Sequence, residues 1–161
     1  MKEFTFGETK YYESSDFFNK DYPLEDLEKH VEATTRLFIR RKLFRELLSN
    51  YGHKYNLNGY ILLHAHGNKN GQNWMYADGK KKYLVQNFID RVDGRALAIL
   101  LKTCNQKDCS IHSKKSIIIH PNKAINFLDL IRGGNLRIYV PEKGYLEDSY
   151  FRLRRTIDSI L

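Results

Sequence analysis

Cysteine is nearly absent from this chain: Cys104 and Cys109 are the only two in 161 residues. A pair with four residues between them is no secreted disulfide framework, so a reducing cytoplasm is the expected location. Prolines number only 3, and no linker, internal repeat or low-complexity tract divides the sequence. No apolar run approaches the roughly 18 residues of a membrane span, which leaves no membrane partner to expect. The opening residues Met1-Lys2-Glu3-Phe4-Thr5 carry no signal-peptide pattern.

What is present points to a folded domain. Apolar residues make up 42% of the chain, with 11 Tyr and 9 Phe, too many for a disordered segment. The length fits one domain over residues 1–161 with a real core. The formal net charge is +8, which favours attraction to polyanions and says nothing about fold. The basic residues are scattered, however: Arg36, Arg40, Arg41, Lys42 and Arg45 in one stretch, Lys80 to Lys82 in a turn, Arg152, Arg154 and Arg155 near the end. No basic–aromatic motif accompanies them, so nucleic acid is a partner allowed by charge alone, and solvated faces are the preferred reading.

Residues 1–20 are polar and aromatic and read as an irregular N-terminal segment holding one edge strand at most. Asp21-Tyr22-Pro23 is a helix start. Leu24, Leu27, Val31, Thr34 and Phe38, then Phe44, Leu47 and Leu48, recur at helical spacing up to Gly52, which predicts one long helix. Gly59 to His66 is almost unbroken apolar, as a buried parallel strand would be. Trp74–Ala77 reads as a short strand, closed by an Asp78-Gly79 turn, with Trp74 and Tyr76 packing over the sheet edge. A helix of about Lys82–Val92 follows, then a strand from Arg95 to Thr103. A third strand spans 116–119 and ends at His120-Pro121, where His120 is read as structural. Ala124 to Ile131 reads as a helix, Leu136–Val140 as a fourth strand, and Leu146, Tyr150, Leu153, Ile157 and Leu161 as a last helical face. Such alternation predicts an α/β fold: a three-layer sandwich, with a mostly parallel sheet of four or more strands and helices on both faces.

Two of these runs end in reactive residues. Leu62-Leu63-His64-Ala65-His66-Gly67 ends in histidine and glycine, and Ala98-Ile99-Leu100-Leu101-Lys102-Thr103-Cys104 ends in cysteine. In an open parallel sheet, catalytic groups gather beyond the carboxyl ends of the strands. Neighbouring strands would then bring the His66 imidazole beside the Cys104 thiol, a base within reach of a nucleophile.

At Gly59–Cys104 the chain resembles the core of the caspase-like cysteine peptidases, the group of caspases, metacaspases, clostripain- and gingipain-like enzymes, separase and CHAT domains. Their pattern is an apolar strand ending in His-Gly, a glycine-bearing loop with an Asp-Gly turn, a helix, and an apolar strand ending in Cys. Here these are Tyr60–Gly67, the loop with Gly71 and Asp78-Gly79, Lys82–Val92, and the strand to Cys104. Cys104 follows His66 by 38 residues, a compact spacing. Lys102-Thr103-Cys104-Asn105 departs from the caspase Gln-Ala-Cys signature.

The resemblance implies a peptidase acting on peptide or protein substrates through a thioester acyl-enzyme, with no cofactor. His66 would serve as base and acid, and the backbone N–H groups of Gly67 and Cys104 would hold the oxyanion. His64, Asn105 and Asp108 are candidates for supporting or lining the site. Two alternatives stand beside this reading. One is a catalytically inactive caspase-like module that binds a protein partner or a polyanion. The other is a small zinc site built from His64, His66, Cys104, Cys109 and His112.

Overall fold

The computed structural model describes residues 1–14, 23–39, 42–67, 73–77, 81–103, 111–121 and 136–147. Ten strands and three helices are assigned among them. The N-terminal residues are more regular than their composition suggests. Lys2–Phe6 (β1) and Thr9–Glu13 (β2) form an antiparallel hairpin, so the expectation of an irregular segment over 1–20 is corrected for residues 2–13. The strands escaped notice because β1 is mostly exposed and therefore polar. In β2, by contrast, the period-2 set Thr9, Tyr11 and Glu13 is buried.

The expected long helix is described in two stretches, Leu24–Ile39 (α1) and Lys42–Tyr55 (α2), and how they join at residues 40–41 lies outside the described residues. Tyr60–His64 (β3) is the first apolar strand. His66–Gly67 (β4), Trp74–Ala77 (β5) and Lys81–Leu84 (β6) form a separate three-stranded antiparallel sheet. The helix expected from about Lys82 begins at Val85 and is α3 (Val85–Val92), because Lys81–Leu84 pairs with β5 instead. Ala98–Lys102 (β7), Ile117–Pro121 (β8), Leu136–Val140 (β9) and Gly144–Glu147 (β10) complete the main sheet. Leu146 thus sits in a strand and not on a helical face. The Asp78-Gly79 turn, the helix expected over 124–131 and the C-terminal helical face from Tyr150 onward lie outside the described residues.

The main sheet has seven strands in the order β1-β2-β3-β7-β8-β9-β10. The four central ones, β2, β3, β7 and β8, run parallel, and the outer pairings are antiparallel. Side chains alternating along β3 and β7 enter two distinct apolar clusters. Leu62 and Leu100 join Val31 and Phe38 of α1 and Phe44 and Leu48 of α2. Ile61, Leu63, Ile99 and Leu101 join Val85, Phe88, Ile89 and Val92 of α3. The arginine- and glutamate-bearing positions of α1 face away from this packing, as its amphipathic spacing requires.

Gly59 fixes the start of β3. Its φ is +74°, and a Cβ there would lie 2.8 Å from the Glu8 carbonyl oxygen. That oxygen accepts the Tyr60 N–H at 2.9 Å, the rung joining β3 to the turn before β2. Gly59→Ala is therefore expected to cost about 1–3 kcal/mol in urea unfolding. Gly7→Ala, at φ +57° with nothing within 4 Å, should cost less. Equal losses in the two variants would show that the Glu8 contact contributes nothing.

Candidate active site

The carboxyl ends of β2, β3 and β7 carry a row of polar residues in register. Glu13 pairs with His64, and His64 with Lys102. Residues level with one another on adjacent parallel strands share a face, and Tyr11, two positions before Glu13, shares it too. The four therefore meet on one side of the sheet. The ladder runs one residue further: the Ser14 N–H donates to the His64 carbonyl at 3.1 Å, and the Ala65 N–H to the Lys102 carbonyl at 3.3 Å.

His64 is held by a hydrogen-bonded chain. Its Nδ1 lies 2.9 Å from the Tyr11 hydroxyl, which donates to Glu13 Oε2 at 3.0 Å. His30 of α1 stacks on the His64 ring, with centroids 5.8 Å apart and planes at 23°. Lys102 completes the group, its Nζ shielded from solvent. Tyr11, Glu13 and His64 are all buried.

Burial governs the charge states here. It pushes the His64 imidazole down to about 2, and the Lys102 ammonium adds to the effect. His30 is lowered to about 4 by the same causes in the same order. Glu13 is raised, because loss of water outweighs the Tyr11 hydrogen bond and the attraction of Lys2. Each group thus leans toward its neutral form, as expected where solvation is lost. Beside this row, the hydroxyls of Ser14 and Thr103 are buried, and among the described residues neither has a hydrogen-bond partner.

His66 occupies a different environment. It opens β4, its Cα pairs with that of Tyr76, and it is exposed to solvent. Gly67 pairs with Met75. The two histidines therefore part company at Ala65: His64 ends the main sheet and His66 begins the small one. Cys104, Asn105, Asp108 and Cys109 lie outside the described residues. Of the five residues considered for zinc, His64 is committed to Tyr11, and His112 is exposed, its backbone exchanging hydrogen bonds with Gln86 of α3. Among the described residues, no group of three or more His, Cys, Asp or Glu is arranged to hold a metal.

His120 is fully buried, its Nε2 3.4 Å from the Tyr145 hydroxyl, in keeping with a core role. Trp74 and Tyr76 lie in β5 of the small sheet, with Lys82 Nζ 5.9 Å from the Tyr76 ring centroid. Reading the sequence missed Tyr11, Glu13, His30 and Lys102. The available signal was positional: Glu13 and Lys102 are charged residues closing β-patterned runs at the level where His64 closes its own. No helix among the described residues is long and apolar enough to cross a membrane. Comparison with protein-family models, with curated proteins and with solved structures finds no match to the chain.

Proposed function

We propose that the chain is a compact caspase-like cysteine peptidase in which His66 and Cys104 form the catalytic dyad. The observation that carries this reading is the register of the two central strands. β3 and β7 pair in parallel from Tyr60↔Ala98 to His64↔Lys102, a constant offset of 38. Cys104 follows His66 by the same 38 residues. Were that register carried two residues on, His66 would stand level with Cys104, at the edge where an open parallel sheet gathers its reacting groups; His66 itself turns at that point into β4 of the small sheet.

The architecture proposed with it is a three-layer sandwich with helices on both faces. The two apolar clusters support it, one drawing on α1 and α2 and the other on α3. The buried Glu13–Tyr11–His64 chain supports this reading by holding the last residue of β3, two positions before His66.

The reaction follows from the groups. His66 takes the Cys104 proton, and the thiolate attacks the peptide carbonyl carbon. The N–H groups of Gly67 and Cys104 hold the oxyanion. The C–N bond then breaks, His66 protonates the departing amine, and a thioester remains. Water, deprotonated by His66, hydrolyses it and restores the thiol. Peptide or protein is the substrate class, and the cytoplasm is the proposed location, on the strength of the two sparse cysteines.

A panel of fluorogenic peptides tests this, beginning with Arg or Lys at the cleavage position, by analogy with the non-caspase members. Hydrolysis is expected, lost in Cys104→Ser and kept in Cys109→Ser. A panel left uncut, or a fully active Cys104→Ser, would favour the inactive binding module instead.

A further inference from the structure

A cleft of about 450 Å³ opens at the opposite end of the sheet, within the size range of small-molecule sites. Its walls are the residues that precede the parallel strands, Gly94 before β7 and Lys114 and Lys115 before β8, together with Tyr51 and Tyr55 of α2 and Glu142 after β9. We infer that this cleft binds a small planar aromatic anion of the nucleoside monophosphate class. The inference stands independently of any activity at the other edge.

The aromatic wall is preformed. Tyr51 and Tyr55, one helical turn apart, have ring centroids 4.5 Å from each other. Tyr51 is buried and fixed, its hydroxyl donating to the Lys115 carbonyl at 2.7 Å. Tyr55 is 42% exposed and presents its ring to the cleft. A base or similar flat ring gains by packing on such a surface whatever its identity.

The facing wall is cationic. Lys114 and Lys115 are exposed, and among the described residues neither ammonium has a carboxylate partner. Asp93 is the carboxylate bonded to this segment, and backbone donors occupy it. It accepts the N–H of Lys114 at 2.7 Å, of Lys115 at 3.0 Å and of Ser116 at 2.9 Å. Those three bonds pin the lysine-bearing segment while leaving both side-chain charges available. Gly94, at φ +81°, lets the Lys115 stem lie close against the backbone, since a Cβ there would come within 2.9 Å of it.

One carboxylate competes with a ligand anion. Glu142 accepts from Lys54 Nζ at 2.9 Å, and that nitrogen also lies 5.2 Å over the Tyr55 ring. Both partners are more than 40% exposed, so the pair is weak and exchangeable. An incoming phosphate would take Lys54 from Glu142. A third cation would thereby join the site.

Calorimetric titration of the chain with AMP tests the proposal, with adenosine and inorganic phosphate as its two halves. Saturable AMP binding is expected, with each half at least about tenfold weaker. Tyr55→Ala and the double variant Lys114→Ala, Lys115→Ala should each weaken AMP about tenfold. Glu142→Gln should tighten it, because it removes a competing carboxylate, and a merely structural role for Glu142 gives no such gain. No saturation up to about 10 mM AMP, or affinity indifferent to Tyr55 and to both lysines, would overturn the site. Binding of a short single-stranded oligonucleotide without binding of AMP would overturn it as well.

Discussion

His66→Ala is expected to lower kcat/KM for peptide hydrolysis by about 10²–10⁴, the range supplied by a positioned general acid–base. The fold should survive, because His66 is exposed at the first residue of a two-residue strand. The nearby His64 cannot take its place. Its Nδ1 is bound to Tyr11, and burial depresses its imidazole to about 2, so it stays neutral wherever the enzyme would work. A group that cannot hold a proton near neutrality cannot deliver one to a departing amine. Steady-state kinetics on His66→Ala and on His64→Gln, each checked for folding by circular dichroism, separate the two roles. Wild-type turnover in His66→Ala would remove it from the dyad.

The second large effect is on stability. His64 and His30 carry folded-state values near 2 and 4 against about 6.5 when unfolded. Above the unfolded value neither imidazole is protonated in either state, and stability is flat. As pH falls below about 6.5 the unfolded chain takes up protons that the folded chain refuses, and stability drops. His64 alone contributes a slope approaching about 1.4 kcal/mol per pH unit, or about 1.6 kcal/mol between pH 6.5 and 5. His30 adds to the loss in the same window until it protonates in the folded state, near 4.

Glu13 works in the opposite sense. Its raised value contributes stability that is present in acid and lost as pH rises through it. It therefore opposes the histidine loss wherever it titrates, and the comparison with His64→Gln between about pH 5 and 6.5 isolates the histidine part. Urea midpoints measured across that window should fall steeply for the native chain. In His64→Gln, which keeps a polar side chain opposite Tyr11, the decline should shrink by about one proton's worth. Parallel curves for the two proteins would show that His64 is not held neutral by burial.

The central strands were legible because a strand buried on both faces writes itself as an apolar run, and β3, β7 and β8 all do. Strands with mixed surroundings were not. β1 is an edge strand of exposed residues, and β2 alternates buried Thr9, Tyr11 and Glu13 with more accessible neighbours, so neither presents an apolar signal. Lys81–Leu84 is exposed throughout and owes its strand form to pairing with β5, which single-residue patterns do not record. The same limit hid half of the candidate site. His64 and His66 stand out in the sequence, whereas Tyr11, Glu13, His30 and Lys102 join His64 only through the parallel register and the packing of α1. The buried Glu13–Tyr11–His64 chain depends on contacts across 53 residues, beyond any local motif.

The dyad is tested most directly by the rate at which iodoacetamide modifies Cys104, followed by mass spectrometry across pH in the native chain and in His66→Ala. An ordinary thiol titrates near about 8.5, and only its thiolate reacts. Under the proposed dyad, Cys104 should react faster than Cys109 at neutral pH, with its profile displaced to the acid side. His66→Ala should slow the reaction and return the profile toward that of a free thiol. A Cys104 that reacts no faster than Cys109, with a pH profile unchanged by loss of His66, would contradict the dyad outright.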